Sequence, residues 1–147
     1  MLANFYNMKT KTGKTRLEFC RICKKCCHEN GLGVVCLSGY DIKRLQKAGK
    51  KIGFVKEGGV FWLKLEKGKC KFLGPKGCEL PEEIRPLDCR LFPIHFHFLG
   101  KNKYYFTISL ACPYWNKISK NYIEIVKKDA LKDLKHWTKK EKIGYWI

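Results

Sequence analysis

Four thiols fall within eight residues of this chain, as Cys20-x-x-Cys23-x-x-Cys26-Cys27, and no other feature restricts its folding so strongly. Thiolate ligands must come within about 2.3 Å of one ion, and short chelating loops bring them there at the least cost in chain entropy. Cys20-x-x-Cys23 has the spacing of a zinc knuckle. Cys20, Cys23 and Cys26 together have the spacing of a loop wrapped around a cubane, whose fourth ligand comes from elsewhere. The spacing points to metal without choosing between zinc and iron–sulfur. Cys26 and Cys27 are sequence neighbours, so their side chains diverge, and in an extended backbone they point to opposite faces. Either they serve two adjacent sites, or one ligates and the other packs. Burial as a small hydrophobe explains any one of these cysteines but not the cluster.

The chain has 147 residues, enough for one domain with a real core. Nine cysteines among them exceed ordinary usage without reaching that of a disulfide mini-protein. The opening Met1-Leu2-Ala3-Asn4-Phe5-Tyr6-Asn7-Met8 lacks the basic start and apolar run of a signal peptide. No window approaches 18 uninterrupted apolar residues, so no membrane insertion is expected. The expectation is a cytoplasmic, reducing location, where clustered cysteines bind metal or do redox chemistry. The formal charge of +18 could attract nucleic acid, anionic lipid or an acidic protein partner. Four thiolates around one divalent centre subtract about two charges, so two such sites still leave roughly +14. The lysines and arginines are spread along the chain without a block of five, which reads first as a solvated surface.

No linker or repeat divides the sequence. We read a basic N-terminal arm over residues 1–18 and a single cysteine-cluster domain over 19–147. Residues 33–37 are a short apolar run that predicts a strand. Ser38 or Asp41 then caps a helix over 40–49 with Ile42, Leu45 and Ala48 on its apolar face. Residues 60–65 and 70–73, joined by Glu66-Lys67-Gly68-Lys69, predict a hairpin. Residues 91–99 and 104–110, around Gly100-Lys101-Asn102-Lys103, predict another. An amphipathic helix is expected over 120–139, with Ile123, Val126, Ala130, Leu134 and Trp137 on one face. The fold class is α+β: antiparallel hairpins and two to four helices around a cysteine-rich metal site.

Further along, the motifs form an ordered series. Phe19-Cys20-Arg21-Ile22-Cys23-Lys24-Lys25-Cys26-Cys27 is followed by Val35-Cys36-Leu37-Ser38-Gly39-Tyr40-Asp41-Ile42. Then come Cys70-Lys71-Phe72-Leu73, Gly77-Cys78-Glu79-Leu80, Arg85-Pro86-Leu87-Asp88-Cys89-Arg90-Leu91-Phe92-Pro93 and Cys112-Pro113. This series, over about residues 19–113, resembles the cysteine-cluster family named for its CxxCxxCC motif, a zinc- or iron-chelating domain. The resemblance places Cys20, Cys23, Cys26, Cys27, Cys70, Cys78, Cys89 and Cys112 on the family's motif positions and implies that they hold the metal. Cys36 lies outside those positions, inside an apolar run, and reads as a core residue. Eight thiols allow two four-ligand sites, or one cluster with supporting thiols. The chain departs from the family at Glu79-Leu80-Pro81, which stand where an Ile-Tyr pair is usual.

Arg85 and Arg90 flank Cys89. Cationic donors beside thiolates stabilise an anionic sulfur shell from outside it, or bind an anionic substrate, or form a plain salt bridge such as Arg85 with Asp88. His28 follows Cys27 and reads as a loop histidine rather than a ligand. His95 and His97 share one face of a strand, where a two-histidine metal site competes with an ordinary exposed face. Gly13-Lys14-Thr15 lacks the earlier glycine of a phosphate-binding loop, since Met8 stands in its place. Tyr104, Tyr105, Tyr114 and Trp115 could form a stacking platform, but no nucleic-acid-binding motif accompanies them.

The leading reading is a metal-binding protein holding an iron–sulfur cluster, slightly favoured, or zinc. One alternative is a redox or protein-modifying enzyme that uses the cluster. The other is a zinc-stabilised nucleic-acid-binding protein.

Overall fold

The computed structural model describes residues 35–145 apart from Lys76 and Ala111. The arm over 1–18, the cysteines from 20 to 27, His28 and the first two residues of the expected 33–37 strand lie outside the described residues.

The described chain opens with β1 (Cys36–Leu37) and α1 (Gly39–Lys47). Ser38 is the N-cap, and Asp41 closes a reciprocal capping box that satisfies two first-turn N–H groups. β2 (Phe54–Glu57) and β3 (Val60–Leu63) follow, and β3 pairs antiparallel with both β1 and β2. This corrects one expectation, because residues 60–63 pair backward with 54–57 rather than forward with 70–73. The reason is turn chemistry. Gly58 and Gly59 both take positive φ, at 63° and 83°, which two-residue hairpin turns matched to strand twist require. Glu66 and Lys69 form only an isolated bridge. β4 (Leu73–Gly74) instead pairs with β5 (Gly77–Cys78).

After a 3-10 turn at Glu82–Ile84 come α2 (Leu87–Leu91), β6 (Ile94–Gly100) and β7 (Lys103–Ile108). β6 and β7 form the expected hairpin, turning through Lys101 and Asn102 with a bulge between Phe98 and Gly100. A second 3-10 turn, Trp115–Lys117, leads into α3 (Lys120–Leu134) and then α4 (Lys139–Gly144). The helix expected over 120–139 therefore ends at Leu134, and a second begins at Lys139. Thr138 starts the second helix, and Glu141 completes its capping box, so the local N-terminal signal outweighs the continuing apolar period. With four helices among the described residues and antiparallel strands throughout, the class is α+β. No described helix is long and apolar enough to cross a membrane.

Two apolar clusters lie on opposite sides of β1. Cys36, Val60, Leu87, Leu91, Ile94 and Phe96 pack with Tyr122, Val126, Ala130, Leu134, Trp137 and Tyr145 in the main core. Tyr145 stacks on Phe96 at 3.9 Å between ring centroids, and Trp137 meets Phe96 edge-on at 5.4 Å. Val35, Leu37, Ile42 and Leu63 form the second cluster, against which Cys70 and Cys89 pack. Strand alternation explains the division, since successive side chains of β1 face opposite ways. Cys36 is thus turned away from the side on which Cys70 and Cys89 gather.

Candidate metal centre

Four of the eight family-position cysteines lie among the described residues, each partly buried. Cys70 precedes the β4–β5 hairpin, and its carbonyl accepts the Leu73 N–H at 3.1 Å. Cys78 sits on β5 opposite Leu73. Cys89 lies in the middle of α2, and the Cys112 carbonyl accepts the Trp115 N–H at 3.2 Å. Cys70 and Cys89 share the second apolar cluster with Val35, where the described chain begins. Among the described residues no three His, Cys, Asp or Glu side chains are grouped so as to hold a metal ion. The expected meeting of the later cysteines with Cys20, Cys23, Cys26 and Cys27 involves residues outside those described.

The segment between β5 and α2 carries Pro81 and Pro86 and has no strand partner, so its carbonyls need donors from side chains. Three arginines supply them. Arg85 Nε donates to the Leu80 carbonyl at 2.8 Å and Nη2 to the Cys78 carbonyl at 3.2 Å. Arg90 Nε donates to the Arg85 carbonyl at 3.2 Å. Arg44, reaching across from α1, donates to the Glu83 and Arg85 carbonyls at 3.1 and 3.2 Å. The backbone from Cys78 to Arg85 is thus tied down by guanidinium groups.

Two of those guanidiniums are neutralised in turn. Arg90 is only 4% exposed and pairs with Asp129 and, at 2.8 Å, with Asp133. The two aspartates are four residues apart on α3 and therefore adjacent on one face. Arg44 pairs with Asp41 at 2.8 Å and with Asp133 at 3.5 Å. Asp41 is fully buried, and its carboxylate accepts from Ser38 N and Oγ and from the Leu87 N–H at 3.2 Å. Burial pushes the Asp41 carboxyl above its ordinary range, while the Ser38 and Arg44 donors pull it down.

Asp88, between Leu87 and Cys89, faces the core rather than solvent. Its Oδ2 accepts the Cys36 N–H at 2.9 Å, and its Oδ1 accepts the Tyr145 hydroxyl at 2.8 Å. His95 Nδ1 lies 3.2 Å from the same hydroxyl. Because Tyr145 gives its proton to the carboxylate, the geometry suits a His95 tautomer that donates from Nδ1. Burial lowers the His95 pKa, with His97 adding to the effect. His97 Nε2 sits 2.8 Å from Thr107 Oγ1 and its ring stacks on Tyr105 at 4.4 Å. The two histidines thus share a strand but have different partners.

Cys36 differs from the other described cysteines. It is fully buried in the main core, and burial pushes its thiol well above the usual range, with Asp88, Asp41 and Glu141 adding to the rise. A thiol so held stays protonated and packs as a small apolar group.

Sequence reasoning did not reach the Arg44–Asp41 pair, the Asp129–Asp133 face or the Asp88–Tyr145–His95 chain. Two signals were present. Ser38-x-x-Asp41 is a capping box, and Asp129 and Asp133 stand at helical spacing in a stretch otherwise rich in lysine.

No curated protein and no solved structure matches the chain. A family model described as "CxxCxxCC: Putative zinc- or iron-chelating domain" matches residues 19–113. The span takes in all eight cysteines from Cys20 to Cys112 other than Cys36, together with the arginine-pinned segment. The chain belongs to the CxxCxxCC family of zinc- or iron-chelating domains.

Proposed function

We propose that this protein holds an iron–sulfur cluster, in preference to zinc, through Cys20, Cys23, Cys26, Cys27, Cys70, Cys78, Cys89 and Cys112. The observation that carries this reading is the family match over residues 19–113, whose bounds enclose this all-sulfur donor set. Thiolates are soft ligands and suit zinc or iron–sulfur alike, so the described donors fit either group. The Cys-x-x-Cys-x-x-Cys loop followed by a distant Cys-Pro tips the choice toward a cluster. A bound cluster would supply one-electron chemistry or a structural tie, and zinc a structural tie alone.

The chain's own residues contribute in two ways. Arg85 fixes the Cys78 carbonyl at 3.2 Å and so steadies the backbone from which that thiol projects. Arg90 contributes the second, its Nε holding the Arg85 carbonyl at 3.2 Å on the segment that leads to Cys89.

The test is anaerobic purification followed by an absorption spectrum and metal analysis. Iron with acid-labile sulfide and a broad visible absorption band is the expected result. Stoichiometric zinc with a featureless visible spectrum would replace the cluster by zinc. Absence of any bound metal, with Cys89→Ser indistinguishable from wild type, would overturn the reading.

A further inference from the structure

An open-sided cleft of about 720 Å³ is lined by Tyr40, Lys43, Lys56, Phe61, His136 and Lys140. Its walls are three elements: the start of α1, the β2–β3 hairpin and the α3–α4 connection. Each wall is locked to the next. Glu141 Oε2 accepts the Gly39 N–H at 2.6 Å and Oε1 accepts the Thr138 N–H at 2.8 Å, which joins the starts of α1 and α4. The hairpin tip seats on α4 through two glycines. A Cβ on Gly59 would lie 3.1 Å from the Lys140 carbonyl oxygen, and a Cβ on Gly144 would collide with the Gly58 carbonyl oxygen. Tyr40 stacks on His136 at 4.2 Å and 14°, which joins α1 to the end of α3.

The charge of the cleft is positive. The three lysines are exposed, and among the described residues none is in an ion pair. Glu141 is the one carboxylate in the lining, and backbone N–H groups engage both of its oxygens. Lys56 Nζ lies 5.6 Å from the Phe61 ring centroid, so a cation and a flat apolar face adjoin. A phosphate joined to a planar ring presents the matching pair of features. The volume is that of an ordinary small-molecule site and exceeds what inorganic phosphate alone would fill.

We propose that this cleft binds a nucleoside phosphate, with its phosphate oxygens on Lys43, Lys56 and Lys140 and its base against the Phe61 ring. Lysines serve as mobile point charges for phosphate, and the ring contributes stacking. None of the described cysteines lines the cleft.

The experiment titrates the full-length, metal-loaded protein with ADP, pyrophosphate and adenosine at 150 mM salt, followed by calorimetry and amide chemical shifts. ADP is expected to bind saturably, with the largest shifts at Gly39, Gly59 and Lys140. Two variants losing equal charge separate this site from the protein's overall charge. K43Q/K56Q/K140Q should weaken ADP binding by at least about tenfold, and K101Q/K103Q/K128Q by less than about twofold. Phe61→Leu should weaken ADP without affecting pyrophosphate. Equal losses in the two triple variants, pyrophosphate binding as tightly as ADP, or no saturable binding would each overturn the proposal.

Discussion

Asp88 Oδ2 accepts the backbone N–H of Cys36 at 2.9 Å, across 52 residues of chain. Through this bond the residue before Cys89 is fastened to β1, the first strand of the described chain. The other carboxylate oxygen takes the Tyr145 hydroxyl proton, so one buried side chain joins the start, middle and end of the described chain. Removing it leaves two core donors without their acceptor. Asp88→Ala should cost about 2–4 kcal/mol of stability, and Tyr145→Phe about 1–2 kcal/mol. Urea unfolding of the two single variants and the double variant measures this. The double should lose less than the sum, because both changes break the same bond.

Arg90 is the cation most deeply committed to the fold. Arg90→Ala would strand Asp129 and leave Asp133 and the Arg85 carbonyl to Arg44 alone, at a cost of about 3–5 kcal/mol. Asp129 is already held above the usual carboxylate range by burial, with Arg90 pulling it down. Loss of Arg90 should therefore raise the Asp129 pKa further, which carboxyl NMR titration would show. An unchanged melting temperature in Arg90→Ala would refute this account.

Two groups should give pH slopes of opposite sign. Glu82 is pushed up to about 7, chiefly by burial and then by the neighbouring Asp129 carboxylate. Its folded pKa exceeds the ordinary 4.5, so its stabilising effect is complete below 4.5 and is lost as pH rises toward 7. His95 is lowered below 6.5 by burial, so its contribution is present above 6.5 and is lost as pH falls through the folded value. Glu82→Gln should flatten the decline between pH 4.5 and 7, and His95→Gln the decline on the acid side of 6.5. Denaturant midpoints across pH 4 to 8 would reveal both.

Cys36 and Cys89 should separate metal content from packing. Cys36→Ala removes one sulfur from the main core and should cost under about 2 kcal/mol with metal content unchanged. Cys89→Ser should lower metal content. Anaerobic chelation should lower the melting temperature and raise amide exchange over residues 77–91, since ligand bonds offset the entropy of closing long loops. Metal loss in Cys36→Ala would make that residue a ligand.

Gly144→Ala probes the seating of the β2–β3 hairpin on α4. The added methyl would collide with the Gly58 carbonyl oxygen and lie 3.2 Å from Val60 Cγ1. The two elements must separate, at a cost of about 1–3 kcal/mol. Thermal unfolding checks this directly.

By itself the sequence determined the features that depend on near neighbours. The Cys20 to Cys27 spacing, the Ser38 cap and the β6–β7 hairpin around Lys101 and Asn102 are written within a few residues each. So is each separate motif of the family series from Cys20 to Cys112. Where two local signals competed, the wrong one was legible first. Residues 60–65 form an apolar run that suggests a forward partner at 70–73, yet the Gly58-Gly59 turn pairs 60–63 backward. The apolar period runs through Lys135 to Trp137, yet Thr138 and Glu141 begin a new helix. Only the tertiary structure decided which sides of β1 Cys36, Cys70 and Cys89 take, because a one-residue offset reverses the face of a strand. It alone decided that Asp88 bonds Cys36 and Tyr145, and that Arg85 and Arg90 grip backbone carbonyls. These partners are brought together by packing across dozens of residues, and no spacing rule reaches that far.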